Sequence, residues 1–191
     1  MINKSTVLDQ QVNHPISAGE QHFPVFAMTS ELEAKIDEVI THYPEQIRSS
    51  VLPILHLIQH QFGFISAQAI TWISEKIELE PIRILEVVSF YPGFHQSAPG
   101  KFHIRVCRTL SCAMAGSGEL MAELAKITGI DRSNCDSHHQ PVAVSDCGTW
   151  SLEFAECLAS CGTGPVCLVN DDFHEAVAPQ QAQDLISKYS K

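Results

Sequence analysis

No run in this chain approaches the roughly 20 consecutive apolar residues that a membrane-spanning helix needs. The longest, Val51 to Ile58, is broken by Pro53 and His56. The protein is therefore expected to be soluble or peripheral to a membrane. Basic residues are scarce: 12 Lys and Arg stand against 22 Asp and Glu, for a formal charge of -10. They are scattered and form no stripe that could neutralise phosphates, which excludes nucleic acid as the expected partner. There is no G-x-G-x-x-G and no phosphate loop, so the chain should not itself hold NAD or a flavin nucleotide through those devices. C-x2-C is also missing, which argues against a thioredoxin-type redox pair. Residues Met1 to Gln21 contain one Lys, no Arg and no apolar core. They resemble neither a secretory signal nor a presequence, and residues 1–29 read as a flexible polar leader.

What is present is a normal globular content, 45% hydrophobic over 191 residues, and seven cysteines. An odd number of cysteines without a signal peptide argues against a disulfide framework and for metal or redox chemistry.

The first half has helical periodicity. Ser30 with Glu33 suggests a capping box ahead of Leu32, Ile36, Val39 and Ile40, giving a helix from about Ser30 to His42. A second apolar face, Ile47, Val51, Leu55 and Ile58, ends at Gly63, and Pro53 within it predicts a kink or a late start. Ser66 can cap a third helix carrying Ile70, Ile73 and Ile77, and Pro81 suits the first turn of a fourth with Ile84, Leu85 and Val88. The expectation is a four-helix bundle over residues 30–92, then a Pro- and Gly-rich linker over 93–100.

Residues 101–191 read as mixed α and β, which makes the fold class α+β. Phe102 to Val106 has strand composition, and a loop with Gly116 and Gly118 leads to a helix from Glu119 to Thr128 with Leu120, Leu124 and Ile127 inward. Asp131 to Ser145 reads as a polar loop, Thr149 to Ala155 as a strand. Val166 to Asn170 and Phe173 to Val177 read as a hairpin around Asp171 and Asp172, and Pro179 to Tyr189 as a last helix.

Cys107 and Cys112 follow the first strand with C-x4-C spacing; Cys157 and Cys161 follow the second with C-x3-C spacing. Equivalent exits of neighbouring strands can bring four sulfurs to one centre. Thiolates ligate iron-sulfur clusters, four for a 2Fe-2S unit. Structural zinc stays open as an alternative, although its sites favour C-x2-C knuckles and these spacings are wider. Gly116, Gly118, Gly162 and Gly164 are candidates to bring backbone N–H groups to the sulfurs, and Ser111 and Ser160 to add hydroxyls. Cys135 and Cys147 read as spare thiols, and Cys167, within PVCLV, as core. His138 and His139 read as surface residues of a polar loop, as do His56 and His60 on their helix.

The CRTLSC and ECLASCGTGP segments, the apolar strand that follows with Asn170 and Asp171, and LEVVSFYPGF upstream together resemble a known family from about Ser30 to Lys191. It is the thioredoxin-like 2Fe-2S subunit of respiratory complex I, the small partner of the NADH-binding flavoprotein subunit. Homologues serve NAD-linked formate dehydrogenases and hydrogenases. The resemblance implies a helical N-terminal domain and a thioredoxin-like 2Fe-2S ferredoxin domain. It further implies one 2Fe-2S cluster on Cys107, Cys112, Cys157 and Cys161, exchanging single electrons with FMN. FMN and NADH would sit on the flavoprotein partner, and the complex would hold the chain at the cytoplasmic face of the bacterial membrane. This chain departs from the family's Leu-Arg-Gly after the second cysteine, with AMAGSG there. Its loop from Asp131 to Cys147 is also richer in His and Cys.

Overall fold

The computed structural model describes residues 26–133 and 142–190. The expected leader falls largely outside them, as do Cys135, His138 and His139. Contacts divide the described chain into two compact units, with the boundary between Ala98 and Pro99. Each is described by itself.

In the first unit, caps set the helix starts. α1 (Ser30–Thr41) is capped by Thr29 and not by Ser30: Thr29 is extended, and its Oγ1 accepts the Leu32 N–H at 3.2 Å. The hydroxyl of the last extended residue reaches the free N–H three positions on, whereas Ser30 has already turned helical. A 3₁₀ turn, Ile47–Ser50, precedes α2 (Val51–Phe62). Pro53 thus lies in the first turn, where its missing N–H breaks no bond. The late start leaves Ile47 outside the helix and 44% exposed.

Gly63 closes α2 with φ +84°, a left-handed conformation that glycine adopts without a Cβ clash. The Ser66 hydroxyl caps α3 (Ala67–Ile77) by accepting the Ala69 N–H at 3.1 Å, and Pro81 opens α4 (Pro81–Phe90). Ile36, Ile54, Leu55, Ile58, Ile73 and Ile84 are fully buried in one shared core, which Phe94 also enters. Gln59 fastens that segment, donating to Gly93 O at 2.7 Å and accepting the His95 N–H at 2.8 Å. Among the described residues no helix is long and apolar enough to cross a membrane.

The second unit is built on a five-stranded sheet. In chain order its elements are β1 (Phe102–Cys107), α5 (Leu110–Met114), α6 (Ser117–Thr128), β2 (Ala143–Val144), β3 (Trp150–Ala155), β4 (Cys167–Val169), β5 (Asp172–His174) and α7 (Ala182–Tyr189). The spatial order is β2-β3-β1-β4-β5; β1 and β3 run parallel and every other pair is antiparallel. Parallel neighbours need a crossover, and α6 lies within it, placing Leu120 and Leu124 in the core with Ile104, Val106 and Leu152. Ile127 is only half-buried.

Four sequence expectations are corrected here. Ala143–Val144, read as loop, is an edge strand on β3, two residues too short to show a periodicity. The short helix α5 starts inside the C-x4-C segment, and α6 starts two residues before Glu119. The hairpin turns at Asn170 and Asp171, because Asn170 takes φ +53°, a conformation asparagine tolerates, and Asp172 already pairs with Val169. The last helix begins as a 3₁₀ turn, Pro179–Gln181, before α7.

Candidate metal centre

Cys107 is the final residue of β1 and stands in register with Ala155, the final residue of β3. Parallel pairing therefore delivers the two following segments side by side. The Arg108 N–H donates to Ala155 O at 3.0 Å, and the Arg108 guanidinium bridges to Glu156, Nη2 to Oε1 at 2.5 Å. Cys112 lies on α5. Cys157 is two residues past β3, and Cys161 opens the 3₁₀ turn Cys161–Thr163. The sulfurs of Cys157 and Cys161 are 3.7 Å apart. Cys107 hydrogen-bonds with Cys112, and Cys161 senses the charges of both Cys157 and Cys107. All four sequence-selected thiols thus face one another.

The set is asymmetric. Cys107 and Cys112 are each 1% exposed and pack with Val166 and Leu158, while Cys157 and Cys161 face solvent. Burial alone pushes both inner thiols up. At Cys107 it is outweighed by the Thr109 hydroxyl, 3.2 Å away, and by the N–H groups of Leu158 and Thr109, so this thiol ionises below its ordinary range. At Cys112 burial, with the charges of Cys107 and Cys161, prevails over the Val166 N–H and holds the thiol above it. Cys161 is raised chiefly by its hydrogen bond and charge interaction with Cys157, against a hydrogen bond from the Ser111 hydroxyl. Four thiols this close resist shared ionisation, which a polyvalent cation among them relieves.

The donors differ from those expected. N–H groups reach the sulfurs from Thr109, Leu158, Ala159 and Val166; Ala159 N lies 3.4 Å from the Cys157 sulfur. None is a glycine, because aiming an N–H requires the right turn and not a missing side chain. Ala159 achieves it with φ +63°. Gly164 lies closest packed against the site: a Cβ there would lie 3.3 Å from the Cys112 sulfur. Gly116 instead starts α6 at φ +101°. Ser111 serves as expected, whereas Ser160 hydrogen-bonds Thr163 and Glu175. No pattern in the sequence marks Thr109, Leu158 or Val166, since their contribution is a backbone direction or a local hydroxyl.

Cys135, His138 and His139 lie outside the described residues. Cys167 is fully buried in β4, and burial pushes its thiol up to about 12. His56 and His60 are exposed on α2, and the His56 ring packs against Phe94 in a tilted arrangement, 4.9 Å between centroids. Cys147 is exposed, and hydrogen bonding, first with Ser145 and then with Thr149, brings its thiol down to about 7. Its alkylation by iodoacetamide should therefore rise with pH through a midpoint of about 7, while Cys167 stays unlabelled until the chain unfolds. Peptide mass mapping after timed labelling checks both.

Soft thiolate donors in two pairs, ringed by N–H groups, fit an iron-sulfur centre, whose negative charge those donors offset. Comparison with known proteins agrees. The family model of the thioredoxin-like [2Fe-2S] ferredoxin matches residues 36–190. An NADH-quinone oxidoreductase subunit of Aquifex aeolicus is 30% identical over 165 residues, covering 86% of this chain and 97% of that one. Its counterpart from the NADH-quinone oxidoreductase of Thermus thermophilus is 33% identical over 154 residues, covering 80% of each. Among solved structures, an NAD+-reducing [NiFe]-hydrogenase in its air-oxidised state matches 72% of this chain with a TM-score of 0.56 at 21% identity. That match spans 22% of the hydrogenase chain and is a likeness of fold.

Proposed function

The chain belongs to the thioredoxin-like [2Fe-2S] ferredoxin family, and from that premise we propose that it is the one-electron carrier subunit of an NADH:quinone oxidoreductase. Its ligands are Cys107, Cys112, Cys157 and Cys161. A bound 2Fe-2S cluster supplies reversible one-electron exchange. The chain's own residues do the rest. Cys107 and Cys112 anchor one side in the protein interior, where Val166 and Leu158 exclude water. Cys157 and Cys161 hold the other side at the surface, toward a partner. The N–H groups of Thr109, Leu158, Ala159 and Val166 offset the negative charge that reduction increases.

The observation that carries this reading is the convergence of two cysteine pairs at parallel strand exits, in a chain similar to such subunits over most of their length. On this reading a flavoprotein subunit binds NADH and FMN and performs the hydride chemistry, and single electrons pass between that flavin and this chain. Leu110 and Met114 flank Cys112 on α5 and are 76% and 81% exposed, which supports a docking face close to the ligands. Residues 30–98 form the helical domain and 99–191 the cluster domain, since Phe94 belongs to the first core and Gly100 abuts β3. The complex holds the chain at the cytoplasmic face of the membrane. The sequence-similar relatives favour this assembly over a hydrogenase or formate dehydrogenase diaphorase.

Anaerobically purified protein should contain iron and acid-labile sulfide in equal amounts, about two of each per chain. Zinc without sulfide would leave the zinc-stapled alternative standing and end this proposal.

A further inference from the structure

The turn that carries Cys161 is fastened by a residue that is not a ligand. Ser160 and Thr163 flank Cys161 and its neighbour Gly162, and the hydroxyls of both donate to one oxygen of Glu175, Oε1, at 2.5 and 2.6 Å. The two hydroxyl oxygens are 2.7 Å from each other. The backbone repeats the attachment: the Ala176 N–H donates to Thr163 O at 2.7 Å and the Val177 N–H to Pro165 O at 3.0 Å. Glu175 directly follows β5, so the end of the sheet hairpin clasps the solvent-facing ligand turn. Arg108, the cation nearest in sequence to a ligand, already pairs with Glu156. Among the described residues no ion pair of Glu175 with a cation is found.

We infer that Glu175 is a positioning residue: its carboxylate fixes the Ser160–Thr163 turn and sets a negative charge beside the Cys157–Cys161 pair, lowering the reduction potential of the centre. The inference rests on the ligand assignment above. An oxygen that accepts two hydroxyl hydrogens is held in place by them. Reduction adds an electron next to it, and that electron does Coulomb work against the carboxylate. Because Glu175 is exposed, the effect is screened by salt.

The test uses the full chain, anaerobically purified, and two variants. Glu175→Gln keeps an acceptor oxygen and removes the charge; its midpoint potential should lie above wild type at low ionic strength, with iron content unchanged, and the gap should narrow as salt is added. Ser160→Ala with Thr163→Val keeps the charge and removes the clasp. It should lose iron to a chelator about tenfold faster than wild type. A potential in Glu175→Gln equal to wild type at low salt overturns the charge role, and an unchanged chelation rate in the double variant overturns the clasp. Should Glu175→Gln fail to hold iron, the double variant still decides the clasp, and equal rates would overturn it. Wild-type protein without iron and sulfide would instead refute the ligand assignment, and with it the role given to Glu175.

Discussion

Cys161→Ala is expected to lose most of the visible absorption and most of the iron of the purified protein, while Cys147→Ala and Cys167→Ala keep both. The asymmetry follows from where each thiol sits. The Cys161 sulfur is 3.7 Å from that of Cys157 and belongs to the group of four that hydrogen-bond and repel one another. Alanine would leave three of the four thiolates proposed to hold the cluster, the missing one on the side that faces solvent. Cys167 is fully buried between β1 and β5, pairing with Val106 and His174, and a thiol pushed up to about 12 supplies no thiolate near neutral pH. Its replacement removes one buried sulfur from a tight core, a cost of about 1–2 kcal/mol, and leaves the ligands alone. Cys147 lies in the turn between β2 and β3, and among the described residues its side chain hydrogen-bonds with Ser145 and Thr149. Iron and sulfide analysis with absorption spectra of the three variants settles the matter. Iron retained in Cys161→Ala and lost in Cys167→Ala would reverse the ligand assignment.

The four cysteines proposed as ligands are legible in the sequence because their spacing is local: C-x4-C and C-x3-C, each following a run of strand composition. The fact that brings the pairs together is the parallel register of β1 and β3, and the equivalent positions of the two pairs point to it. The helices are legible where a cap and a period agree, as at Ser66 with Ile70 and Ile73. A helix start is misplaced where two hydroxyls compete, as at Thr29 and Ser30, since both can cap and only the turn of the backbone selects one. β2 spans two residues and α5 five, too short for any period to register. The donors escape a reading by composition because composition marks glycines, whereas the N–H groups of Leu158 and Val166 are set by the path of loops whose course depends on the whole sheet.

Gly100 is misread for a similar reason, and its replacement has the second large expected effect. By composition it belongs to a Pro- and Gly-rich linker, where an added methyl group would meet water. Its actual neighbour is the start of β3. A Cβ at Gly100 would lie 2.5 Å from the carbonyl carbon of Trp150, 2.8 Å from its oxygen and 2.9 Å from the Ser151 nitrogen. All three are backbone atoms, so no side-chain rotation relieves the clash. The lead-in to β1 must move away from β3, loosening the Phe102–Trp150 register and lengthening the buried bond from Gly100 N to Ser151 Oγ, now 2.9 Å. Overpacking costs about 1–3 kcal/mol and the strained hydrogen bond about 1 more. Gly100→Ala should therefore destabilise the chain by about 3 kcal/mol, a sizeable part of a domain's usual 5–15 kcal/mol. Two other glycines separate this steric cost from a general one. A Cβ at Gly63 or Gly93 would meet nothing within 4 Å, but Gly63 has φ +84°. Gly63→Ala should cost about 1 kcal/mol through that backbone conformation alone, and Gly93→Ala close to nothing. Urea midpoints of the three variants test the order, and a Gly100→Ala midpoint no lower than that of Gly63→Ala would refute the close approach of Gly100 to β3.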